Sequence, residues 1–232
     1  MEKYFIGIDS GTSGIKAVLF DLKGNEIGQK SFPLKGIFPR EDMYEEDMLE
    51  IWDKAVKCVK AVTEAFPDKE IVGIGITAQG DGLWMVDENM EPVRNGCCFC
   101  DGRAAKIVDR WVEDGTCDKL FEITGTRIFT GNQNGIVKWM EEHEPENLDK
   151  SRWLVNLKDY LFYRFTGKVT TDATDQSLIF LDQNKRDYLD ETFKICGIEK
   201  YKDKYPPVLS AKENAFPVQK ELAKELGLGE NV

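Results

Sequence analysis

At 232 residues, 41% hydrophobic and 31% charged, the chain is long enough for one large domain or two small ones around a sizeable core. A net charge of −11 with no concentrated basic patch excludes nucleic acid and anionic membrane as main partners. No apolar run approaches the length of a bilayer span, and the first residues enter a strand pattern without a signal-peptide stretch, so a cytoplasmic location is expected.

Residues 4–8 read as a strand, followed by the turn Asp9-Ser10-Gly11-Thr12-Ser13-Gly14, a second strand over 15–21, a tight turn at Lys23-Gly24-Asn25 and a third strand over 26–32. The chain thus opens with an antiparallel meander. Apolar residues at 49, 52, 56, 59, 62 and 66 predict a helix over 45–66, stopped by Pro67-Asp68. The acidic cluster Glu45, Glu46 and Asp47 reads as its solvated first turn. Strands follow over 71–77 and 83–86, parted by Ala78-Gln79-Gly80-Asp81-Gly82, and another over 96–100.

Helices are predicted over 103–113, 119–123 and 136–142, then a short strand over 153–155 and a helix over 159–165 closed by Gly167. Beyond Lys168 two more helices, near 189–195 and 218–226, flank a connection at Pro206-Pro207, and residues 227–232 read as a loop leading onward rather than a docked terminus. Strands first, then strands alternating with helices, indicate a mixed α/β domain.

Six cysteines stand at 58, 97, 98, 100, 117 and 196. The run Cys97-Cys98-Phe99-Cys100 invites a metal reading, but zinc sites use separated ligand pairs and the single histidine, His143, is remote; alternating residues of a half-buried strand explain the run more simply. His143, beside three glutamates near a helix end, reads as a surface residue.

The first constellation with chemical content is Ile8-Asp9-Ser10-Gly11-Thr12-Ser13-Gly14-Ile15-Lys16. Phosphate oxygens need backbone N–H groups in a tight turn, hydroxyl donors and a cation, all present here, and a strand-end aspartate suits hydrated magnesium. The residues alone equally allow a plain hairpin with a Gly-Ser turn. The wider pattern Ile8-Asp9-x-Gly11-Thr12-Ser13-x-x-Lys16-Ala17, with Phe20-Asp21 and Gly24, resembles the first phosphate loop of the actin and Hsp70 ATPase superfamily, and within it the FGGY carbohydrate kinases.

A second segment, from Gly73 to Gly82, resembles that family's strand and substrate loop, with Gly80 and Asp81 in the pair after the glutamine. Gly80 replaces a bulkier residue of xylulose and glycerol kinases, so their preferences do not transfer. The same segment fits the dinucleotide fingerprint G-x-G-x-x-A, but that motif must open a helix and a strand pattern follows here. Phe99-Cys100-Asp101-Gly102-Arg103 resembles the family's Trp-x-Asp-x-Arg with phenylalanine for tryptophan; Asp101 and Arg103 are either substrate contacts or an internal ion pair, the pair being favoured. Phe129-Thr130-Gly131-Asn132, Lys138-Trp139, Glu142-His143-Glu144-Pro145, Asp159-Tyr160-Leu161, Thr166-Gly167 and Thr171-Asp172-x-Thr174-Asp175-x-Ser177 extend the likeness over the whole chain, in detail toward L-xylulose kinases and erythritol-kinase-like members.

The resemblance implies an actin-like (ribonuclease H-like) α/β ATPase domain with a mixed central sheet and flanking helices, spanning residues 1–232 as the N-terminal half of an enzyme about twice as long. It implies ATP and Mg2+ as cofactors, with Asp9, Ser10, Gly11, Thr12, Ser13 and Lys16 at the ATP phosphates and Asp9 on magnesium through water. It also implies a small sugar or polyol, foremost a ketopentose such as L-xylulose, contacted by Gln79, Gly80, Asp81, Phe99, Asp101 and Asn132. The general base is expected just after Val232, in a C-terminal domain that would be this chain's partner, which makes the chain a piece of a longer enzyme and inactive alone. A homodimer is the common state of soluble enzymes. The competing expectation is a non-catalytic actin-like nucleotide-binding or sugar-binding domain.

Overall fold

Side-chain alternation along the first strand sets the architecture. In a computed structural model, which describes residues 2–176, 180–230 and 232, strand β1 (Lys3–Gly11) turns Tyr4, Ile6, Ile8 and Ser10 into the core and Lys3, Phe5 and Asp9 to the opposite face. It pairs antiparallel with β2 (Gly14–Asp21), which pairs antiparallel with β3 (Glu26–Pro33), so the predicted meander is present.

A two-residue strand, β4 (Glu45–Glu46), precedes helix α1 (Met48–Ala65). This overturns the solvated helix start. Glu45 and Glu46 are buried in a strand, and Asp47 alone caps the helix, accepting from Leu49 N at 2.8 Å and Glu50 N at 3.2 Å. The buried stripe of α1 runs through Met48, Ile51, Ala55, Cys58, Val59 and Val62, which leaves Leu49 exposed; the predicted stripe was rotated at its start. The helix packs across β2 and β3, and each large apolar side chain it buries contributes roughly 1.5–3 kcal/mol.

β5 (Glu70–Ala78) then joins β1 in parallel, giving a mixed four-stranded sheet of order β3-β2-β1-β5. Short strands β6 (Trp84–Val86), β7 (Gly96–Cys97) and β8 (Trp153–Val155) follow, with β6 antiparallel to β8 and β7 antiparallel to β4. The strand predicted over 96–100 is therefore only its first two residues. Cys97 and Cys98 are both buried and Cys100 is exposed, so the cysteines do not alternate. The β6–β8 ribbon lies between two apolar cores: Trp84, Val86 and Val155 face one, Leu83, Met85 and Leu154 the other.

The second core is closed by α2 (Ala105–Glu113), α3 (Thr116–Thr124), α4 (Gln133–His143), α5 (Pro145–Lys150) and, later in the chain, α8 (Asp190–Cys196). α6 (Leu157–Thr166) packs on β5 and belongs to the first core. Its first turn is held by Asp159, whose Oδ2 accepts from Asn156 N at 3.2 Å and Asn156 Nδ2 at 3.3 Å. β9 (Thr171–Asp172), α7 (Ala173–Gln176), a 3-10 turn at Glu199–Lys204, β10 (Val208–Leu209) and α9 (Lys220–Glu225) complete the described elements. In the matched run that begins at Thr171, Ser177 lies outside the described residues.

Leu228 and Val232, expected in an undocked loop, are packed in place against the first core, and Val218 N donates to Val232 O at 2.7 Å. Among the described residues no helix is long and apolar enough to cross a membrane.

Candidate active site

The carboxyl ends of the parallel strands β1 and β5 lie side by side, where ligand sites of open α/β sheets form. Asp9 is the cross-strand partner of Lys16 on β2 and the parallel partner of Thr77 on β5. Asp9, Lys16 and Thr77 line one depression of about 510 Å³ on the sheet face opposite α1, floored by Gly7 and Gly75 and flanked by Val18 and Phe20. A carboxylate and an ammonium on adjacent strands suit a cation and an anion held together.

Thr12 and Ser13 form the two-residue turn between the paired Gly11 and Gly14. Its position is tied down by Leu34 N donating to Ser13 O at 3.1 Å and Tyr44 Oη to Thr12 O at 3.3 Å. Gly14 is required by close approach, since a Cβ there would stand 2.9 Å from Phe32 O. Of the six residues expected at the phosphates, Asp9 and Lys16 line the depression and Ser10 does not. Its side chain is fully buried on the core face, on the other side of the sheet from Asp9, and its Oγ has no hydrogen-bond partner. The period-two alternation of a strand forces this.

The next loop is spliced directly onto the hairpin, because Gln79 N donates to Ser10 O at 2.8 Å. Gly80 follows, and Asp81 and Gly82 both take left-handed conformations, φ 56° and 74°. Gly82 has room for no side chain, a Cβ there falling 2.3 Å from Cys97 O. A left-handed aspartate costs roughly 1 kcal/mol and needs external support. That support is Asn132, whose Nδ2 donates to Asp81 Oδ1 at 2.7 Å, together with Gly82 N donating to Gly131 O at 2.9 Å. Burial raises the Asp81 pKa above the ordinary carboxylate value, against the Asn132 hydrogen bond.

Two aromatic side chains flank this loop at the surface, Phe99 and Phe129, each 41% exposed. Their segments touch at Gly131, where a Cβ would fall 1.6 Å from Phe99 O and 2.9 Å from the Phe129 ring. Phe129 was not singled out from sequence, although it opens the matched Phe129-Thr130-Gly131-Asn132 run; an aromatic in that run is the signal that could have marked it.

Three expected substrate contacts are placed otherwise. Asn132 is fully buried, with Oδ1 accepting from Phe129 N at 2.7 Å and Nδ2 on Asp81; it holds the loop from behind. Gln79 points its amide inward, Nε2 donating to Glu46 Oε2 at 2.7 Å with Oε1 buried. Asp101 is fully buried, Oδ1 accepting from Arg103 N at 2.9 Å and Nε at 2.8 Å, Oδ2 from Arg103 Nη2 at 3.0 Å and Tyr44 N at 2.8 Å. With both oxygens engaged it has nothing to offer a ligand, so the internal ion pair is what the structure contains.

That pair extends into a network. Arg103 Nη2 reaches Glu45 Oε1 at 2.5 Å, Arg94 closes on the same oxygen, and the Arg103 guanidinium lies 5.0 Å from the Trp139 ring centroid. Burial opposes the charge on Arg103, yet Asp101, Cys97 and Glu45 keep its pKa above the ordinary guanidinium value. A second, half-buried knot centres on Lys158, whose Nζ lies 2.8 Å from Asp159, 2.9 Å from Asp172 and 3.2 Å from Asp175. Burial pushes Asp175 up to about 6, against the pull of Lys158.

A family model described as the N-terminal domain of the FGGY family of carbohydrate kinases matches residues 4–232. The chain belongs to the FGGY family. An L-xylulose/3-keto-L-gulonate kinase of Escherichia coli (strain K12) is 32% identical over 231 residues, 98% of this chain and 46% of that protein. An erythritol kinase of Brucella abortus (strain 2308) is 28% identical over 225 residues, covering 96% of this chain and 43% of that protein. Among solved structures, a gluconate kinase from Lactobacillus acidophilus superposes with a TM-score of 0.92 at 25% identity over 99% of this chain and 46% of that one. The actin-like α/β fold is thereby shown. This FGGY chain spans about half the length of the curated relatives it matches.

Proposed function

We propose that this FGGY domain is the sugar-binding half of an ATP-dependent carbohydrate kinase, which transfers the γ-phosphate of ATP to a hydroxyl of a small neutral sugar or polyol. The observation that carries this is the splice between the two half-sites. A single backbone bond, Gln79 N to Ser10 O, fixes the loop bearing Asp81 beside the hairpin bearing Asp9 and Lys16. Phosphoryl transfer is mostly positioning and charge stabilisation, so donor and acceptor sites must be held in register.

Asp81 accepts hydrogen bonds from substrate hydroxyls, and the exposed faces of Phe99 and Phe129 cover the apolar C–H side of a sugar. Lys16 and the turn at Thr12 and Ser13 receive phosphate oxygens. Asp9 is an exposed oxygen donor on the same face as Lys16, which fits a hydrated magnesium ion. When bound, that ion neutralises charge on the phosphates. A ketopentose such as L-xylulose is the leading substrate. Of the two compounds in the name of the Escherichia coli relative, the neutral sugar suits a mouth carrying the Asp81 carboxylate better than an acid.

The adenosine site and the general base are assigned to a second domain of the full-length kinase, in keeping with the relatives' length, and this chain alone then binds sugar without turnover. The test is a pair of variants in the full-length gene product. Asp9→Asn should abolish sugar-dependent ADP release while sugar binding persists, and Asp81→Asn should raise the sugar KM while the ATP KM stays within twofold. Equal effects of both variants on both KM values would sink the assignment of two half-sites.

A further inference from the structure

Glu46 is a buried carboxyl that the reaction outlined above does not use. It is 1% exposed and stands in β4, between the end of the phosphate hairpin's connection and the start of α1. Its Oε2 accepts from Gln79 Nε2 at 2.7 Å. Both remaining oxygens of this pair, Glu46 Oε1 and Gln79 Oε1, are buried and without a hydrogen-bond partner. Two orphan acceptors on two side chains already joined by one bond are costly as they stand. A single proton on Glu46 answers both: a carboxylic acid and a primary amide each have one donor and one acceptor to exchange.

We infer that Glu46 is the positioning residue of the substrate loop: it carries a proton when the loop is set for sugar and, paired reciprocally with the Gln79 amide, holds Gly80 and Asp81 at the mouth. The inference rests on the carbohydrate-kinase reading and deepens it.

The surroundings favour the neutral acid. From β4 and its approach come Tyr44 and Glu45, and Glu45 is committed to Arg94 and Arg103. Asp47 is committed to the helix cap. From α1 comes Glu50, a like charge itself paired with Lys54 at 2.5 Å. From the segment after β7 come the thiols of Cys98 and Cys100, and from β5 the neutral Gln79. Among the described residues no cation pairs with Glu46 within 4 Å. Burial accordingly lifts its pKa to about 7, opposed by the Gln79 amide and the Cys98 thiol and reinforced by Glu50.

Loss of the proton sets three acceptors against one amide donor pair, so the loop loosens as pH rises through about 7. The full-length kinase, with L-xylulose, D-xylulose and erythritol as probes, should show a sugar KM rising at least fivefold between pH 6 and 8.5 with the ATP KM steady. Glu46→Gln replaces acid–amide by amide–amide pairing, which does not titrate, and should hold the sugar KM flat within twofold over that range. Glu46→Leu should raise it at least tenfold at every pH. Carboxyl 13C NMR follows the group without any variant's folding being at issue: a Glu46 titration near 7 supports the inference, and one at the ordinary glutamate value overturns it. A Glu46→Gln enzyme that keeps the parent's pH dependence, or a Glu46→Leu enzyme whose ATP KM moves as much as its sugar KM, also overturns it. Absence of sugar-dependent turnover in the parent enzyme would instead sink the kinase reading, and this inference with it.

Discussion

Asn132 stands at the N-cap position of α4 yet caps nothing with its side chain; its Nδ2 is turned to Asp81 Oδ1 at 2.7 Å and its Oδ1 to Phe129 N. A capping hydrogen bond worth about 1 kcal/mol is thus forgone to brace an aspartate held at positive φ. The brace joins the loop over 79–82 to the segment carrying Phe129, so its energy bears on the proposed sugar mouth rather than on the helix.

Removing the brace should therefore show in sugar affinity. Asn132→Leu deletes a hydrogen bond to a carboxylate, worth about 1.5–3 kcal/mol, and should raise the sugar KM by roughly 10- to 100-fold. Steady-state kinetics should find the ATP KM within twofold of the parent. Parallel rises in both constants would show that the bond serves general stability alone.

The Glu45–Arg103–Asp101 network is a stability element. Glu45→Gln leaves the fully buried Arg103 with one carboxylate where it had two. Breaking a buried pair costs about 3–5 kcal/mol, so thermal unfolding should fall by roughly 6–20 °C. A fall under 3 °C would show that water compensates Arg103.

Two glycines differ in what an added side chain would meet. At Gly131 an added Cβ meets the Phe99 carbonyl at 1.6 Å, whereas at Gly11 the nearest atom is 3.8 Å away. Gly131→Ala should cost about 3 kcal/mol or prevent folding, and Gly11→Ala should leave the melting temperature within a few degrees. Circular dichroism melts of both variants decide the matter; equal losses would contradict the loop geometry.

The raised pKa of Glu46 also has a consequence for stability. Its folded value of about 7 exceeds the ordinary 4.5, so the folded state binds the proton more tightly. The stabilisation is complete below about 4.5 and is lost as pH rises through about 7, up to about 3 kcal/mol. Asp175, raised to about 6, contributes a slope of the same sign, so the comparison must be between the parent and Glu46→Gln. Between pH 5 and 8 the parent should lose stability faster than the variant in denaturant titrations. Parallel curves would place the Glu46 pKa in the ordinary range.

What was legible in the sequence was local. The meander, with its hairpin over 9–16, follows from period-two alternation and from turn glycines; the reading of that hairpin as a phosphate loop came from the family resemblance, because the residues alone equally allow a plain turn. The family likeness placed Asp81 and Phe99 in loops that do converge. The misreadings share one physical cause, which is that burial by distant partners leaves no local trace. Glu45 and Glu46 look like solvated charge, but Arg94, Arg103 and Gln79 reach them from far along the chain. Gln79 and Asn132 were expected as ligand contacts from the family resemblance, while their side chains turn inward; for Asp101 the ion pair with Arg103, the favoured of its two readings, is present. Ser10 sits among phosphate-binding types, yet its parity in β1 sends it to the core.

The central claim, a carbohydrate kinase whose sugar mouth is built on Asp81, is tested most directly by ADP release from the full-length gene product with ATP and magnesium, across L-xylulose, D-xylulose, erythritol, ribitol and glycerol, for the parent and for Asp81→Ala. The account predicts strong stimulation by one neutral sugar or polyol, and a loss of at least 100-fold in kcat/KM for it in the variant with sugar-independent ATP hydrolysis unchanged. ADP release indifferent to every sugar, or a variant within threefold of the parent on the stimulating one, would contradict it.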